Sequence, residues 1–186
     1  CQAIEKVAGI EIPPRAKFIR TIILELERLY NHIGDVGNVC IGASFLMCGS
    51  HGFRMREHIQ QLNETICGNR YLRGMITIGG VRFDIHDDLK KHILDLLDRV
   101  KTDFKELVEI MFTSSSFLDR IETTGRLSLE HAKGLGVVGV PARASGICRD
   151  TRRNHPYAAY SEIDFDIPVY HDEGDVYARV KVRVDE

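Results

Sequence analysis

The sequence predicts a mainly α-helical fold, a bundle of long helices joined by short irregular or β connectors. Apolar residues recur at spacings of three and four, the period of one buried helix face, over residues 11–38, 53–67 and 87–111. Between these stretches, short glycine-rich segments lack that period. We therefore expect a bundle of helices rather than a sheet.

The first long helix is expected within residues 11–38. Pro14 suits the first helical turn, where its missing N–H and fixed φ are tolerated. Gly34 and Gly37 have low helix propensity, so we expect them to weaken or bend the helix. Its buried face should consist of Phe18, Ile19, Ile22, Ile23, Leu26, Leu29, Tyr30 and Ile33.

Two further long helices should follow. Three glycines interrupt residues 40–52, so we expect an irregular connection there and then a helix over 53–67 that ends at Gly68. Residues 71–83 indicate a brief strand or an irregular connector. Two aspartates place negative charge at the start of the clearest helix, 87–111, where the helix dipole favours it.

The last third of the chain should contain shorter elements. Ser116 and Ser128 are expected to cap two short helices. Residues 140–150 read as extended, and 164–169 as a segment able to pair as an edge strand. In residues 176–184, valine and alanine alternate with other, mostly polar residues, which by period alone predicts a strand.

Composition narrows the function classes. The 186 residues carry a formal net charge of −2, which gives no electrostatic reason to expect nucleic acid or an anionic membrane surface as a partner. No apolar run approaches the roughly 20 residues that span a bilayer. The five cysteines are odd in number and form no Cys-x-x-Cys pair, which favours a reducing compartment.

Two familiar kinds of site are disfavoured. Gly134-x-Gly136-x-x-Gly139 matches a dinucleotide fingerprint, but a short helix precedes it and Pro141 follows it, so the required strand–turn–helix context is missing. The eight histidines form no His-x-x-x-His or Glu-x-x-His pair, and a structural metal site needs four convergent ligands.

The densest polar run spans residues 143–155. A run of this kind is either a solvated surface or an arginine–carboxylate network that fixes an irregular segment beside a site. Asn31 and His32 lie on the first long helix. A satisfied structural role is favoured for this pair over proton transfer by His32, whose ordinary pKa lies near neutrality.

Several motifs together resemble one family over almost the whole chain. In order they are IEKVAGIEIPPRAKFIRTIILELERLYNH, FRMREHIQQLNETICGNR, ITIGGVR, RASGICRDTRRNHPY, DFDIPV and VRVDE. With these spacings the sequence resembles the large subunit of energy-converting, membrane-bound NiFe-hydrogenases, most closely the formate hydrogenlyase type. It is also similar to the related 49 kDa subunit of respiratory complex I. The resemblance implies a long-helix bundle of the NiFe-hydrogenase large-subunit type.

The same resemblance implies that residues 1–186 are a single partial domain from the middle of that subunit, with both termini missing. It also implies a helix at 176–184, which we adopt over the strand. The parent would interconvert protons and hydrogen at a nickel–iron centre, with electrons from an iron–sulfur cluster in a small subunit. The four cysteines that bind the metals would lie outside this chain, so the chain alone would be inactive and hold no cofactor.

Five residues are the expected contributors of this chain to such a site: Asn31, His32, Arg143, Asp150 and Arg152. The resemblance implies that they position the metal ligands or the neighbouring cluster, and that they relay protons. Substituting Asp150 should then lower activity or assembly without preventing metal insertion.

Two alternatives remain open, a complex I-type subunit that forms a quinone pocket and a metal-free scaffold. In complex I relatives, an aspartate near the quinone site falls at Gly42 and a histidine beside the terminal cluster falls at Leu72. Both departures favour the hydrogenase branch. Soluble hydrogenases have an aspartate at the position of Asn31, whereas His32 matches their pattern. We give the departure at Asn31 little weight.

The resemblance also implies partners and a location. We expect an iron–sulfur small subunit and membrane subunits, with the complex at the cytoplasmic face of the cell membrane. Alone, the chain should expose apolar surface meant for missing segments and should self-associate.

Overall fold

The computed structural model describes residues 1–171 and 174–186, and it is mostly helical, as predicted. A two-stranded antiparallel hairpin pairs Ile76 with Val81, and a 3₁₀ turn spans Tyr160–Glu162. In chain order the elements are α1 Gln2–Ala8, α2 Pro14–Gly42, α3 Leu46–Cys67, β1 Ile76–Thr77, β2 Gly80–Val81, α4 Asp87–Thr113, α5 Ser115–Ile121, α6 Leu129–Gly134, α7 Val140–Ala144, α8 Thr151–Asn154 and α9 Val176–Asp185.

The core lies between α2, α3 and α4, and α9 packs against α2 beside it. The apolar faces predicted for the three long helices are largely confirmed. Phe18 and Ile22 are the exceptions, with exposures of 42% and 39%, because they lie at the edge of the apolar stripe of α2. The buried side chains include Ile19, Ile23, Leu26, Ile33, Val36, Met55, Ile59, Leu62, Ile93, Val100, Leu107 and Met111.

Glycines that looked like helix breakers are contact points between α2 and α3. The helix α2 continues through Gly37, where α3 crosses it closely. A Cβ added to Gly52 would lie 3.0 Å from the Cα of Gly37, and one added to Gly49 would lie 2.4 Å from Cγ1 of Ile41. Side chains at these positions would separate the two backbones, so the glycines permit the packing.

Two predicted helix starts are wrong for local reasons. The helix α3 begins at Leu46, so much of the stretch expected to be irregular is helical and packs on α2. In α5 the N-cap is Ser114 rather than Ser116, since the Ser114 side chain accepts a hydrogen bond from the Phe117 N–H. The cap predicted at Ser128 is confirmed.

Residues 140–144 are helical rather than extended, because Pro141 lies in the first turn of α7, where proline is tolerated. Residues 164–169 form no strand. Pro168 has no N–H to donate to a neighbouring strand. The segment instead contacts Arg152, whose guanidinium lies over the Phe165 ring.

The strand that alternation predicted at 176–184 is wrong, and the helix implied by the resemblance is confirmed. Residues two apart on a helix point about 200° from each other. In α9 both directions are buried, because Val180 joins the main core while Ala178 and Val182 pack in a smaller cluster with Ala144. Alternate burial therefore arises in a helix that is covered on opposite sides.

A buried ion pair joins α1, α2 and the hairpin. Arg20 donates to both carboxylate oxygens of Glu5, at 2.9 and 2.7 Å. The Gly79 N–H donates to the same carboxylate at 2.7 Å, and Arg20 also donates to the carbonyls of Thr77 and Gly80 at 2.8 Å. The hydrogen bonds from Arg20 lower the pKa of Glu5 to about 2 against the opposing effect of burial.

Candidate functional site

The polar run at 143–155 folds into a buried network rather than a solvated surface. Arg143 lies on α7, Arg152 on α8, and Asp150 is the N-cap of α8. Their exposed fractions are only 3%, 5% and 5%. The structure therefore brings together three of the five residues that the sequence singled out.

Two carboxylates hold the two arginines. Asp150 accepts from Nε of Arg152 at 3.0 Å and from its Nη2 at 2.7 Å, and it also caps α8 through the Arg152 backbone N–H at 2.8 Å. Glu186 Oε1 accepts from Nη2 of Arg143 and Nη2 of Arg152, each at 2.7 Å. Arg143 lies 3.4 Å from Asp150. Paired, forked geometry of this kind stabilises buried charges.

The network reaches α2 through Glu25. Arg152 Nη1 lies 3.6 Å from Oε2 of Glu25, and the Tyr160 hydroxyl donates to the other oxygen of Glu25. The guanidinium of Arg152 also lies over the Phe165 ring, 4.8 Å from its centroid. These contacts fix the 3₁₀ turn and the irregular segment after it against the long helix.

His32 borders the network, and Asn31 does not. Nδ1 of His32 lies 3.5 Å from Oε2 of Glu186. Burial lowers the pKa of His32, although the negative charge of Glu186 opposes this shift. Asn31 has an exposed side chain that donates to the Glu27 carbonyl at 2.9 Å, so its suggested role at a site stays a prediction.

The central ion pair stays charged at neutral pH. Burial alone would raise the pKa of Asp150, but the side-chain and backbone hydrogen bonds and the charge of Arg152 hold it below its usual range. Burial would lower the pKa of Arg152, and its pairing with Asp150 raises it instead. Two buried atoms of the network, Nε of Arg143 and Oε2 of Glu186, have no hydrogen-bond partner within the described residues.

An apolar groove adjoins this network. It has a volume of about 540 Å³ and lies between α2, α4 and the end of α9. Its walls include Leu29, Leu97 and Phe104, and His32 and Glu186 lie at its polar end. The groove is large enough to hold a bound small molecule or the side chains of another helix packed into it.

The described residues do not fit a nickel–iron centre. Among them, no group of three or more His, Cys, Asp and Glu side chains is placed to hold a metal ion. Burial raises the pKa of Cys40 to about 12 and also raises that of Cys48. Both buried thiols are therefore protonated at neutral pH. We assign no step in this chain to such a centre.

The long-helix bundle fits the class that the motifs indicated, the large subunits of the hydrogenase and complex I type. The chain belongs to the family described as the respiratory-chain NADH dehydrogenase 49 kDa subunit, whose model matches residues 41–186.

Curated relatives agree with this assignment. The chain is 34% identical over 184 residues to the D subunit of NADH-quinone oxidoreductase from Sulfurimonas denitrificans, a match that covers 99% of the chain and 44% of that protein. It is 38% identical over 189 residues to the corresponding protein of Desulfotalea psychrophila, and this match covers 99% of the chain and 49% of the relative. The chain thus spans less than half the length of these relatives.

A solved structure shows the same fold. It is that of a membrane-bound sulfane sulfur reductase, an archaeal respiratory membrane complex. Its matching chain is 32% identical with a TM-score of 0.90, and the match covers 97% of this chain and 48% of that one. Among the residues described for the present chain, no helix is long and apolar enough to cross a membrane.

Proposed function

We propose that the chain is the central part of a complex I-type subunit, one that helps to pass electrons from an iron–sulfur partner subunit to quinone. The observation that carries this proposal is the 49 kDa family match over residues 41–186. Identities of 34% and 38% to two NADH-quinone oxidoreductase subunits over nearly the whole chain support it. The protein would act within a membrane complex, at the cytoplasmic face, beside membrane subunits.

In this proposal the buried network positions the irregular segment beside the reaction site. Asp150 and Glu186 hold Arg143 and Arg152, and Arg152 in turn holds Phe165 and reaches Glu25. Through the contact of Arg152 with Glu25, the network links the segment around Phe165 to α2. We assign His32 the role of exchanging protons with Glu186, since the two groups are 3.5 Å apart and quinone reduction consumes protons.

The experiment is an acceptor assay on the assembled complex. The full-length subunit is tagged and the complex is purified in detergent. Electron transfer to a soluble quinone is then followed by absorbance, with NADH and alternative donors. The proposal is supported if the wild-type complex reduces quinone and an Asp150→Ala complex of normal subunit composition does not. Absence of quinone reduction with every donor, in a complex that transfers electrons to other acceptors, contradicts it.

A second candidate is a hydrogen- or sulfur-converting relative that does not use quinone. The resemblance described above implies that complex I relatives have an aspartate and a histidine at the positions of Gly42 and Leu72, and the matching solved structure is that of a sulfane sulfur reductase. A nickel–iron centre would then be held by residues outside this chain. Hydrogen evolution from reduced viologen, or sulfide release from a polysulfide, by the same purified complex would favour this candidate.

A further inference from the structure

We propose that Tyr160 is a positioning residue of the buried network, because its hydroxyl holds Glu25 beside Arg152. The inference rests on the proposed function, and it names two residues, Glu25 and Tyr160, outside the five that the sequence indicated. The side chain of Glu25 is 40% exposed. An exposed carboxylate is well solvated and gains little from an ion pair, so its place beside a buried arginine needs a cause.

Glu25 lies between two arginines of different burial. Nε of Arg28, on the next turn of α2, lies 3.2 Å from Oε2 of Glu25. Nη1 of Arg152 lies 3.6 Å from the same oxygen, and the side chain of Arg152 is only 6% exposed. The pair with Arg28 is local to one helix. The longer contact with Arg152 joins two elements and therefore depends on what fixes the carboxylate.

Tyr160 is fixed by contacts of its own. The N–H of Ala159 donates to Oγ1 of Thr21 at 3.0 Å, and this buried hydrogen bond docks the 3₁₀ turn on α2. Tyr160 is 5% exposed, and its ring packs edge-on against Tyr157 and Phe165 at centroid distances of 5.0 and 6.0 Å. Backbone and ring contacts therefore set the position of the hydroxyl.

The hydroxyl orients the glutamate rather than the reverse. It donates to Oε1 of Glu25, while the other oxygen, Oε2, faces Arg152. A glutamate side chain loses much rotamer freedom when it is fixed, whereas the tyrosine ring is already held. Asp150 and Glu186 each lie 2.7 Å from the Arg152 guanidinium. With Oε1 held by the hydroxyl, Glu25 adds a third carboxylate beside this guanidinium.

Loss of the Tyr160 hydroxyl should therefore act on Arg152 through Glu25. The carboxylate would remain paired with Arg28 and turn towards solvent. Arg152, which also lies over the Phe165 ring at 4.8 Å, would lose one of its three carboxylates. A misplacement of about 1 Å far from the chemistry can lower a rate by about 100-fold, so we expect turnover with quinone to fall roughly 10- to 100-fold. The KM for quinone should not change, because neither Tyr160 nor Glu25 is assigned a contact with quinone.

A double-mutant cycle on the assembled complex tests this inference. Tyr160→Phe, Glu25→Gln and the double variant are made in the full-length subunit, and kcat and KM for a soluble quinone are measured beside electron transfer to ferricyanide. The matched control is Tyr71→Phe, which removes a hydroxyl from a tyrosine that is 47% exposed. Residues that act through one contact give single and double variants with the same loss.

Each single variant should lower kcat for quinone by the same factor, and the double variant should lower it no further. The KM for quinone, the ferricyanide rate and the Tyr71→Phe control should stay at wild-type values. A wild-type kcat in either single variant overturns the inference, as do losses that multiply in the double variant. Failure of Tyr160→Phe to assemble while Glu25→Gln assembles normally also overturns it, because the hydroxyl would then act other than through Glu25.

A structure of the Tyr160→Phe complex gives a second result that does not depend on the electron acceptor. The Glu25 carboxylate should lie beyond the ion-pair distance of about 4 Å from Arg152 and still be beside Arg28. An unchanged contact between Glu25 and Arg152 overturns the inference. If the wild-type complex reduces no quinone with any donor, the proposed function fails, and this structure alone decides whether Tyr160 positions Glu25.

Discussion

Replacing Asp150 with asparagine tests the buried network at its centre. The change preserves the size of the side chain and its ability to cap α8, because Asn and Asp are comparable N-caps. It removes the negative charge that lies 2.7 Å from Arg152 and 3.4 Å from Arg143. The two guanidinium groups would then share Glu186 as their one fully buried carboxylate.

The expected loss of stability follows from burial. Removing one partner of a buried ion pair costs about 3–5 kcal/mol, because the remaining charge is left uncompensated. For a chain of this length each kcal/mol lowers the unfolding midpoint by roughly 2–4 °C, so the midpoint should fall by roughly 6–20 °C. Asp150→Ala should cost about 1 kcal/mol more, because it also removes the cap.

The assay is thermal and urea unfolding of the dilute 186-residue chain, each followed by circular dichroism, which give the midpoint in °C and the free energy of unfolding. The matched control is Asp103→Asn, which breaks an ion pair to Arg54 with side-chain exposures of 37% and 50%. Exposed pairs contribute about 0–1 kcal/mol. If Asp150→Asn and Asp103→Asn lose the same stability, the network does not stabilise this part of the fold and the reasoning is wrong.

Three further predictions concern pH and packing. Burial lowers the pKa of His32, so the unfolded chain takes up the proton first and stability should fall as pH drops below about 6.5. His32→Gln should flatten this slope in urea titrations at several pH values. Glu5→Gln should accelerate hydrogen exchange at the Gly79 amide. In the wild type, the stability from Glu5 should be lost as pH falls from the ordinary carboxyl pKa towards the lowered value of about 2. Gly52→Ala should lower the free energy of unfolding by about 1–3 kcal/mol through overpacking. Gly42→Ala should be neutral or stabilising in the same unfolding assay, because a Cβ added at Gly42 has no atom within 4 Å.

The long helices were predictable because their signal is local. Apolar spacing in α2, α3 and α4 reports a single buried face, which is the usual case for an amphipathic helix. The pattern failed in α9, where opposite faces are both buried and alternation resembles a strand. It also failed at Gly49 and Gly52, because low helix propensity does not reveal that a neighbouring backbone needs the space.

The candidate site was predictable only in part, for the same reason. Asp150 and Arg152 are two residues apart, so a polar run was enough to suggest their pairing. The partners of that pair are distant in sequence. Tyr160 meets Glu25 across 135 positions, and Arg152 meets Glu186 across 34. No local pattern encodes such contacts, and a motif resemblance names the residues without their geometry.

Nickel content tests the central claim most directly, because it does not require the electron donor to be known. The complex is purified through the tagged full-length subunit, and its nickel is measured by elemental mass spectrometry relative to the amount of that protein. A complex I-type subunit predicts no stoichiometric nickel in a preparation that is fully assembled and reduces quinone. One nickel per subunit in an active preparation would contradict the account and identify the parent as a nickel–iron enzyme.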